Sequence, residues 1–328
     1  MVADLESQLA SIVGAANVTA KEQARTQYAN DQWWYAIAAT GAGQSISCPD
    51  VAVRPSNTEQ VAAIVRLANE LRVPITPWGG GSGVQGAANA DQGGIVLDLR
   101  GMQAIRSINE KSLTCVVEAG LSCRDFEATL NERGLSFTHY PASAEWATIG
   151  GSIAARGSGV LSSKYGKIEE HVLSVEWVKP TGEIVNTPNV PRHAAGPELT
   201  QLLVGSEGTL GIVTAANVKL HLLPKHRVFT VFAFASLSDG VEAGRRIMTT
   251  GLKPPVILGD TNRDGKIEEK PDHKGKQTFT RGASGKGAII LCNCDDDNED
   301  KFPDNWPGAI PGWHNGKVRT VNAQGNLD

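Results

Sequence analysis

The sequence predicts an α+β fold of mixed sheets covered by helices, and three observations carry that expectation. Between residues 45 and 223, short apolar strand-like runs alternate with capped amphipathic helices. A glycine-rich loop at 79–86 runs into a further strand rather than a helix, which excludes a doubly wound dinucleotide fold. Beyond Pro255 the composition turns acidic and rich in glycine and proline, which marks a second, β-rich part.

The elements follow in order. The run Val51–Ala52–Val53 reads as a strand. Ser56 and Glu59 then form a capping box ahead of a helix with Val61, Ile64, Val65, Ala68 and Leu71 on one face. VPITPW, apolar and bounded by prolines, completes a β-α-β unit. IVLDL (95–99) and SLTCVVEAG (112–120) are strand-like, and Ser122 caps a second helix that carries Phe126 and Leu130 one turn apart. Residues 172–178 and 183–185 flank Pro180-Thr181-Gly182, a hairpin-type turn. Gly196-Pro197 opens a helix, and 209–223 is again strand-rich. A strand at VFTVFAFA and a helix around 241–248 begin another unit, which breaks at Gly251-Leu252-Lys253-Pro254-Pro255.

Composition narrows the function classes. The 328 residues are 41% apolar and 20% charged, ordinary values for a soluble globular protein long enough for two cores. A formal charge of −4 without basic runs argues against nucleic acid and anionic membrane as partners. Asp4 and Glu6 stand where a signal peptide would be positive, and no apolar stretch approaches the roughly 20 residues that cross a bilayer. Five widely spaced cysteines form no disulfide framework, so a cytoplasmic location is expected. Cys292-Asn293-Cys294 lies in a strand-like run and lacks the usual zinc spacing, so it reads as ordinary thiols.

The segment from Pro77 and Trp78 through Gly79, Gly80, Gly81, Ser82 and Gly83 carries the first sign of chemistry. Glycines let backbone N–H groups converge on an anion and let a pyrophosphate approach closely. Gly81, Gly83 and Gly86 satisfy G-x-G-x-x-G, but AANADQGG leaves no room for the helix that this fingerprint opens. The loop is therefore a phosphate cradle of another design or a flexible connection. Two later segments, PASAEWATIGGS (141–152) and GSEGTLGIVT (205–214), combine hydroxyls and paired glycines in the manner of a narrow groove for an extended ligand.

In order and spacing, RPSNTEQVAAIVRLANE, PWGGGSG, ATIGGSIAARGSG, KYG and GSEGTLGIVT resemble flavoproteins of the vanillyl-alcohol oxidase and p-cresol methylhydroxylase type. SSKYGKIEEHVLSVEWVKPTGEI and AAGPELTQLLVGSEGTLG are most similar to alkyl-dihydroxyacetone-phosphate synthase and its glycolate-oxidase and D-lactate-dehydrogenase relatives. The resemblance implies FAD. Gly79–Gly83 would hold the pyrophosphate, and Ser143, Thr148, Gly150 and Gly151 would line the ribityl and flavin side. Ser158 and Gly159 would flank the cofactor, with Glu207 and Ile212 near the adenine end. Many members tether the flavin through a histidine near the glycine loop. Here Val84 and Gln85 occupy that neighbourhood, so the expectation is non-covalent FAD. The implied reaction is hydride transfer from a 2-hydroxy acid or related alcohol, a small-molecule substrate.

The implied domains are an N-terminal helical arm (1–45), a two-part FAD-binding domain (46–226) and the truncated start of a cap domain (227–255). No histidine cluster of the family's kind is found in that cap segment, His221 and His226 read as surface residues, and no catalytic base is assigned. Residues 256–328 read differently. Asp260, Asn262, Asp264 and Gly265 match the start of a calcium loop, although Pro271 stands where the closing bidentate acid belongs. Glu268, Asp295 and Asp297 are candidates to complete the shell, with a solvated acidic turn as the alternative. DTNRDGKIEE followed by GAIILCNCDDDN resembles the calcium-binding middle domain of protein-arginine deiminases. The deiminase catalytic domain would come after Asp328, so deimination is not expected. The alternatives to an oxidoreductase are a calcium-binding deiminase-like fragment and a non-catalytic hybrid chain.

Overall fold

The computed structural model describes residues 2–225, 228–233, 237–251 and 254, and the strand segments 256–260, 268–271, 277–280, 288–293 and 319–320. It divides into two units. The first comprises residues 1–159 and 166–222, and the second comprises 160–165 and 223–328.

In chain order the first unit begins α1 (Val2–Val13), β1 (Val18–Thr19), α2 (Lys21–Gln27), α3 (Trp34–Gly41), β2 (Val51–Val53), α4 (Thr58–Leu71), β3 (Ile75–Trp78) and β4 (Ile95–Asp98). The four strands form a sheet in the order β1-β2-β4-β3. The β-α-β expectation holds with one change: β2 and β3 are not neighbours, because the later strand β4 inserts between them, parallel to both. All four β4 residues are buried, as befits a central strand covered on both faces.

The helix start is shifted by one residue from the expected capping box. Asn57, in extended conformation, accepts from Gln60 N at 2.9 Å, and the Gln60 side chain reaches back to Ser56 N at 2.8 Å. Asparagine is at least as good a cap as serine, and its position lets Thr58 open the helix. Val61, Ile64, Val65, Leu67 and Ala68 of α4 are buried, with Leu5, Leu9 and Val13 of α1, against Val51, Val53, Ile95 and Leu97. Each large aliphatic side chain buried there contributes about 1.5–3 kcal/mol. The expected N-terminal helical arm packs into this core through α1, and its Val18–Thr19 pairs with Ala52–Val53 as the sheet edge.

The chain continues through β5 (Ile105–Asn109), β6 (Thr114–Glu118), α5 (Cys123–Asn131), β7 (Leu135–Ser136), α6 (Ile149–Ala154), α7 (Ser162–Tyr165, in the second unit), α8 (Ile168–His171), β8 (Val172–Val178), β9 (Ile184–Asn186), α9 (Leu199–Leu203), β10 (Ile212–Lys219) and β11 (His221–Leu222). Five strands form an antiparallel sheet in the order β5-β6-β10-β8-β9. The hairpin expected at Pro180-Thr181-Gly182 is present, and Gly182 takes φ +79 to close it. Strand β5 escaped the sequence reading because IRSIN mixes exposed polar with half-buried apolar residues. As expected, Ser122 caps α5, accepting from Asp125 N at 3.0 Å, and Phe126 and Leu130 are fully buried beneath it.

A polar network joins the two halves of this unit. Glu176 Oε1 accepts from Thr58 Oγ1 at 2.6 Å and Thr214 Oγ1 at 2.9 Å, and Arg106 bridges Glu176 to Glu118. Burial would raise the Glu176 carboxyl. The hydrogen bonds from Thr58 and Thr214 and the Arg106 charge outweigh it and hold the group below the usual carboxylate range.

In the second unit, β12 (Val228–Ala233) precedes α10 (Leu237–Thr249), and β13 (Val256–Asp260), β14 (Glu268–Pro271), β15 (Gln277–Thr280), β16 (Ala288–Asn293) and β17 (Arg319–Thr320) follow. A four-stranded sheet runs β13-β16-β12-β17. The expected division at 255 is thus crossed by backbone pairing, since Val228–Ala233 pairs antiparallel with Ala288–Asn293. Of the calcium candidates, Asn262, Asp264, Asp295 and Asp297 lie outside the described residues, as does His226. Asp260 and Glu268 fall on strands whose side chains are likewise not described. Among the described residues no helix is long and apolar enough to cross a membrane.

Candidate functional site

The first unit contains a cleft of about 460 Å³ built from three distant stretches of chain. The first stretch is the end of β3 and the loop after it, from Pro77 to Ala88. The second runs from His139 through α6 to Ser158, and the third is the turn from Ser206 to Val213 that enters β10. Every cofactor residue named from the sequence lines it except Gly159. A Cβ on Gly159 would lie 2.7 Å from Tyr140 N, so this glycine serves close backbone packing behind the wall.

Glycine is required where these stretches touch. A Cβ on Gly80 would land on the Trp146 carbonyl, and one on Gly79 would fall 2.5 Å from Thr148 Oγ1. The loop therefore lies directly against the residues that start α6. Thr148 caps that helix, accepting from Gly151 N at 3.1 Å. Gly150 N donates to Ala119 O at 2.8 Å, and a Cβ on Gly150 would sit 2.6 Å from Ala119 Cβ, so α6 is pressed against the end of β6. The third stretch returns to the end of α6: Gly205 N donates to Ile153 O at 3.0 Å and Glu207 N to Ala154 O at 3.1 Å. Gly81, at φ +64, packs its Cα under the Trp78 ring. As the sequence implied, no helix follows the loop, and residues 79–94 contain neither helix nor strand.

Several lining residues were not anticipated. His139 forms part of the wall at 1% exposure, and neither ring nitrogen has a hydrogen-bond partner among the described residues. Burial pushes its pKa down to about 4 against a smaller upward pull from Glu169, so the imidazole is neutral at pH 7. Behind it, the His171 ring centre lies 6.3 Å away and is itself 5.8 Å from that of His221. His221 is thus a half-buried member of a ring stack rather than a surface residue, because β11 pairs with β7 under α5. Arg156, at φ +50, also lines the cleft and pairs with Glu169 at 3.3 Å. Asp31, from the N-terminal segment, completes the set. Arg156 lies inside the ATIGGSIAARGSG motif and His139 two residues ahead of the Pro141–Ser152 segment, although neither was singled out, and no local pattern marks Asp31.

Among the described residues no group of three or more His, Cys, Asp or Glu side chains is placed to hold a metal ion. Cys123 is fully buried, with Sγ 3.4 Å from Ser152 Oγ, and burial raises its pKa to about 11, so it is no nucleophile. The cleft thus offers a predominantly apolar, glycine-rich wall with a neutral imidazole, a guanidinium and the carboxylates of Asp31 and Glu207.

Residues 49–188 match the family model described as an FAD binding domain, and residues 257–306 match that of the protein-arginine deiminase middle domain. The mitochondrial D-lactate dehydrogenase [cytochrome] of Arabidopsis thaliana is 35% identical over 211 residues, 64% of this chain and 37% of that protein. The glycolate oxidase subunit GlcD of Bacillus subtilis is 32% identical over 255 residues, 77% of this chain and 52% of that one. A solved alkyldihydroxyacetonephosphate synthase superimposes with a TM-score of 0.76 at 25% identity, covering 89% of this chain and 56% of that one. The chain spans about half or less of the length of these relatives.

Proposed function

We propose that this chain, whose residues 49–188 form an FAD-binding domain, holds FAD non-covalently in its cleft for oxidation of a 2-hydroxy acid or related alcohol, in the manner of vanillyl-alcohol oxidase-type flavoproteins. The observation that carries the reading is convergence. Segments at 77–88, 139–158 and 206–213 line one cleft of about 460 Å³, at the residues that the motifs singled out. The residues also fit the group: the run from Gly79 to Gly83 gives the cleft a lining with few side chains, and His139 has unpaired ring nitrogens in the wall.

When bound, FAD supplies an acceptor for hydride from a substrate carbon. The residues of the chain divide the remaining work. Amides of Gly79–Gly83 would hold the pyrophosphate, because only backbone without side chains lets an anion this close. Ser143, Thr148, Gly150, Gly151 and Ser158 would flank the ribityl and flavin side, and Glu207 and Ile212 would stand at the adenine end. Neutral His139 can donate one hydrogen bond and accept another without placing a charge in the wall. Arg156 offers a cation to an acidic substrate group. Val84 and Gln85 carry no nucleophile for a covalent tether.

Purified protein is expected to be yellow, or to quench FAD fluorescence on titration, with all colour passing to the supernatant after acid precipitation. A colourless product indifferent to FAD would remove the reading, and colour retained in the pellet would remove its non-covalent part. The match of residues 257–306 to the deiminase middle domain favours a second reading, calcium binding by Asp260, Asn262, Asp264, Glu268, Asp295 and Asp297. Calcium added to EDTA-treated protein should then raise a melting transition, since a ligand bound only by the native state stabilises it. An unchanged melt would dismiss that site.

A further inference from the structure

We infer that Asp31 is the positioning residue of the cofactor loop, so that the cofactor site extends into the N-terminal segment ahead of the matched FAD-binding domain; this rests on the FAD reading above. Asp31 is 1% exposed and lies between α2 and α3, more than 45 residues before the loop in sequence. Its Oδ2 accepts from Gly86 N at 3.0 Å, and its Oδ1 accepts from Trp33 N at 3.0 Å and Asn89 Nδ2 at 3.3 Å. Asp31 N donates in turn to Asn89 Oδ1 at 2.9 Å, and Gln32 N donates to Gly83 O at 2.8 Å. The Trp33 ring covers Gly86, where a Cβ would lie 2.8 Å from it. Gly86 itself stands at φ +87.

One carboxylate thus fixes both the entry of its own segment and the far end of the glycine loop. The loop has neither helix nor strand to hold its shape, and its backbone groups would otherwise rearrange around an approaching anion. With Asp31 in place the amides are already ordered before a ligand arrives, which lowers the entropy lost on binding. The segment is braced from the other side as well. Tyr28 stacks edge-on against Trp78 at 5.1 Å and donates to Asp98 at 2.8 Å. Ser47 Oγ donates to Tyr28 O at 2.8 Å and accepts from Ala90 N at 3.1 Å. None of Tyr28, Asp31, Gln32, Trp33 or Ser47 falls within residues 49–188, so the family model assigns them nothing.

The test compares FAD affinity, read by fluorescence quenching, with the melting temperature of each FAD-free variant of the full chain. Asp31→Ala should weaken FAD binding about ten- to hundredfold, the scale for leaving buried amide donors unpaired. Asp31→Asn, which keeps one acceptor oxygen but turns an NH2 toward the other donors, should recover only part of that loss. Asp50→Ala is the comparator. Asp50 also accepts from a glycine amide, Gly94 N at 3.0 Å, and pairs with Lys21, but it does not line the cleft. It should lower the melt while leaving FAD affinity within about threefold. Wild-type affinity in Asp31→Ala would overturn the inference, and so would losses of equal size in Asp31→Asn or Asp50→Ala. Failure of the wild-type chain to bind FAD would instead sink the cofactor reading itself.

Discussion

Gly80→Ala is expected to abolish useful FAD binding while leaving most of the fold intact. The added methyl would land on the Trp146 carbonyl oxygen, a backbone atom that cannot swing away as a side chain end would. Overpacking of this kind costs about 3 kcal/mol, the upper end of the usual range. The strain has two outlets. Either the 141–148 stretch shifts and stability falls by that amount, or the loop lifts and the cleft loses its shape. The loop is the softer of the two, because α6 and its flanks are held by Gly150 N to Ala119 O and Ile149 N to Leu121 O, both within 2.9 Å. The expected reading is therefore a loss of FAD affinity of about a hundredfold, with a smaller drop in melting temperature. Gly41→Ala, at the end of α3 with nothing within 4 Å of the new methyl, should leave FAD affinity unchanged and raise stability slightly, by about 1 kcal/mol at most. FAD titration of Gly80→Ala with an unaltered dissociation constant would show that the loop does not hold the cofactor.

The second large effect is acid sensitivity. Burial lowers the pKa of His139 to about 4, and burial together with the neighbouring His139, His221 and Lys219 lowers that of His171 to about 3. Both lie below the roughly 6.5 of an unfolded chain. The sign follows: these groups are neutral when folded, so their contribution is fully present above pH 6.5. It is lost as the pH falls from there toward 4 and then 3, because the unfolded chain takes up protons first. At pH 4 each histidine costs on the order of 3 kcal/mol, and together they rival a typical total stability. Carboxylates do not explain that window. Asp98, Glu169 and Glu176 are also held low, but their effect sets in only as their unfolded forms titrate, below about pH 5. Urea unfolding at pH 7, 6, 5 and 4.5 should show stability falling across the series, and His171→Phe, beside Phe137 at 5.4 Å, should flatten the slope. A level profile from pH 7 to 4.5 in the parent protein would contradict this.

How much of this was legible depended on the range of the interaction. Helix α4 and strands β2, β3, β4, β6, β8 and β10 could be read from apolar periodicity, because each buries a face whose spacing is written locally. The helix start was misplaced by one residue because Ser56, Asn57 and Thr58 are all capping types, and only the backbone decides which of them leaves the helical region. Strand β5 was missed because an edge strand with one wet face needs little apolar content. The boundary at 255 was read from composition, whereas the strand before it pairs through its backbone with a strand well beyond it, and the expected N-terminal helical arm likewise contributes a strand to the first sheet.

The same division runs through the site. By itself the sequence determined where the backbone must come close: Gly79, Gly80, Gly150 and Gly151 announce that requirement because no other residue omits Cβ. The hydroxyls of Ser143, Thr148 and Ser158 stood beside them in the motifs. Only the tertiary structure decided that Asp31 reaches Gly86 across 55 residues and that His139 enters the wall uncharged. A contact partner and a local dielectric are properties of neighbours brought in by folding, and a one-dimensional pattern records the chain's own demands but not who arrives to meet them.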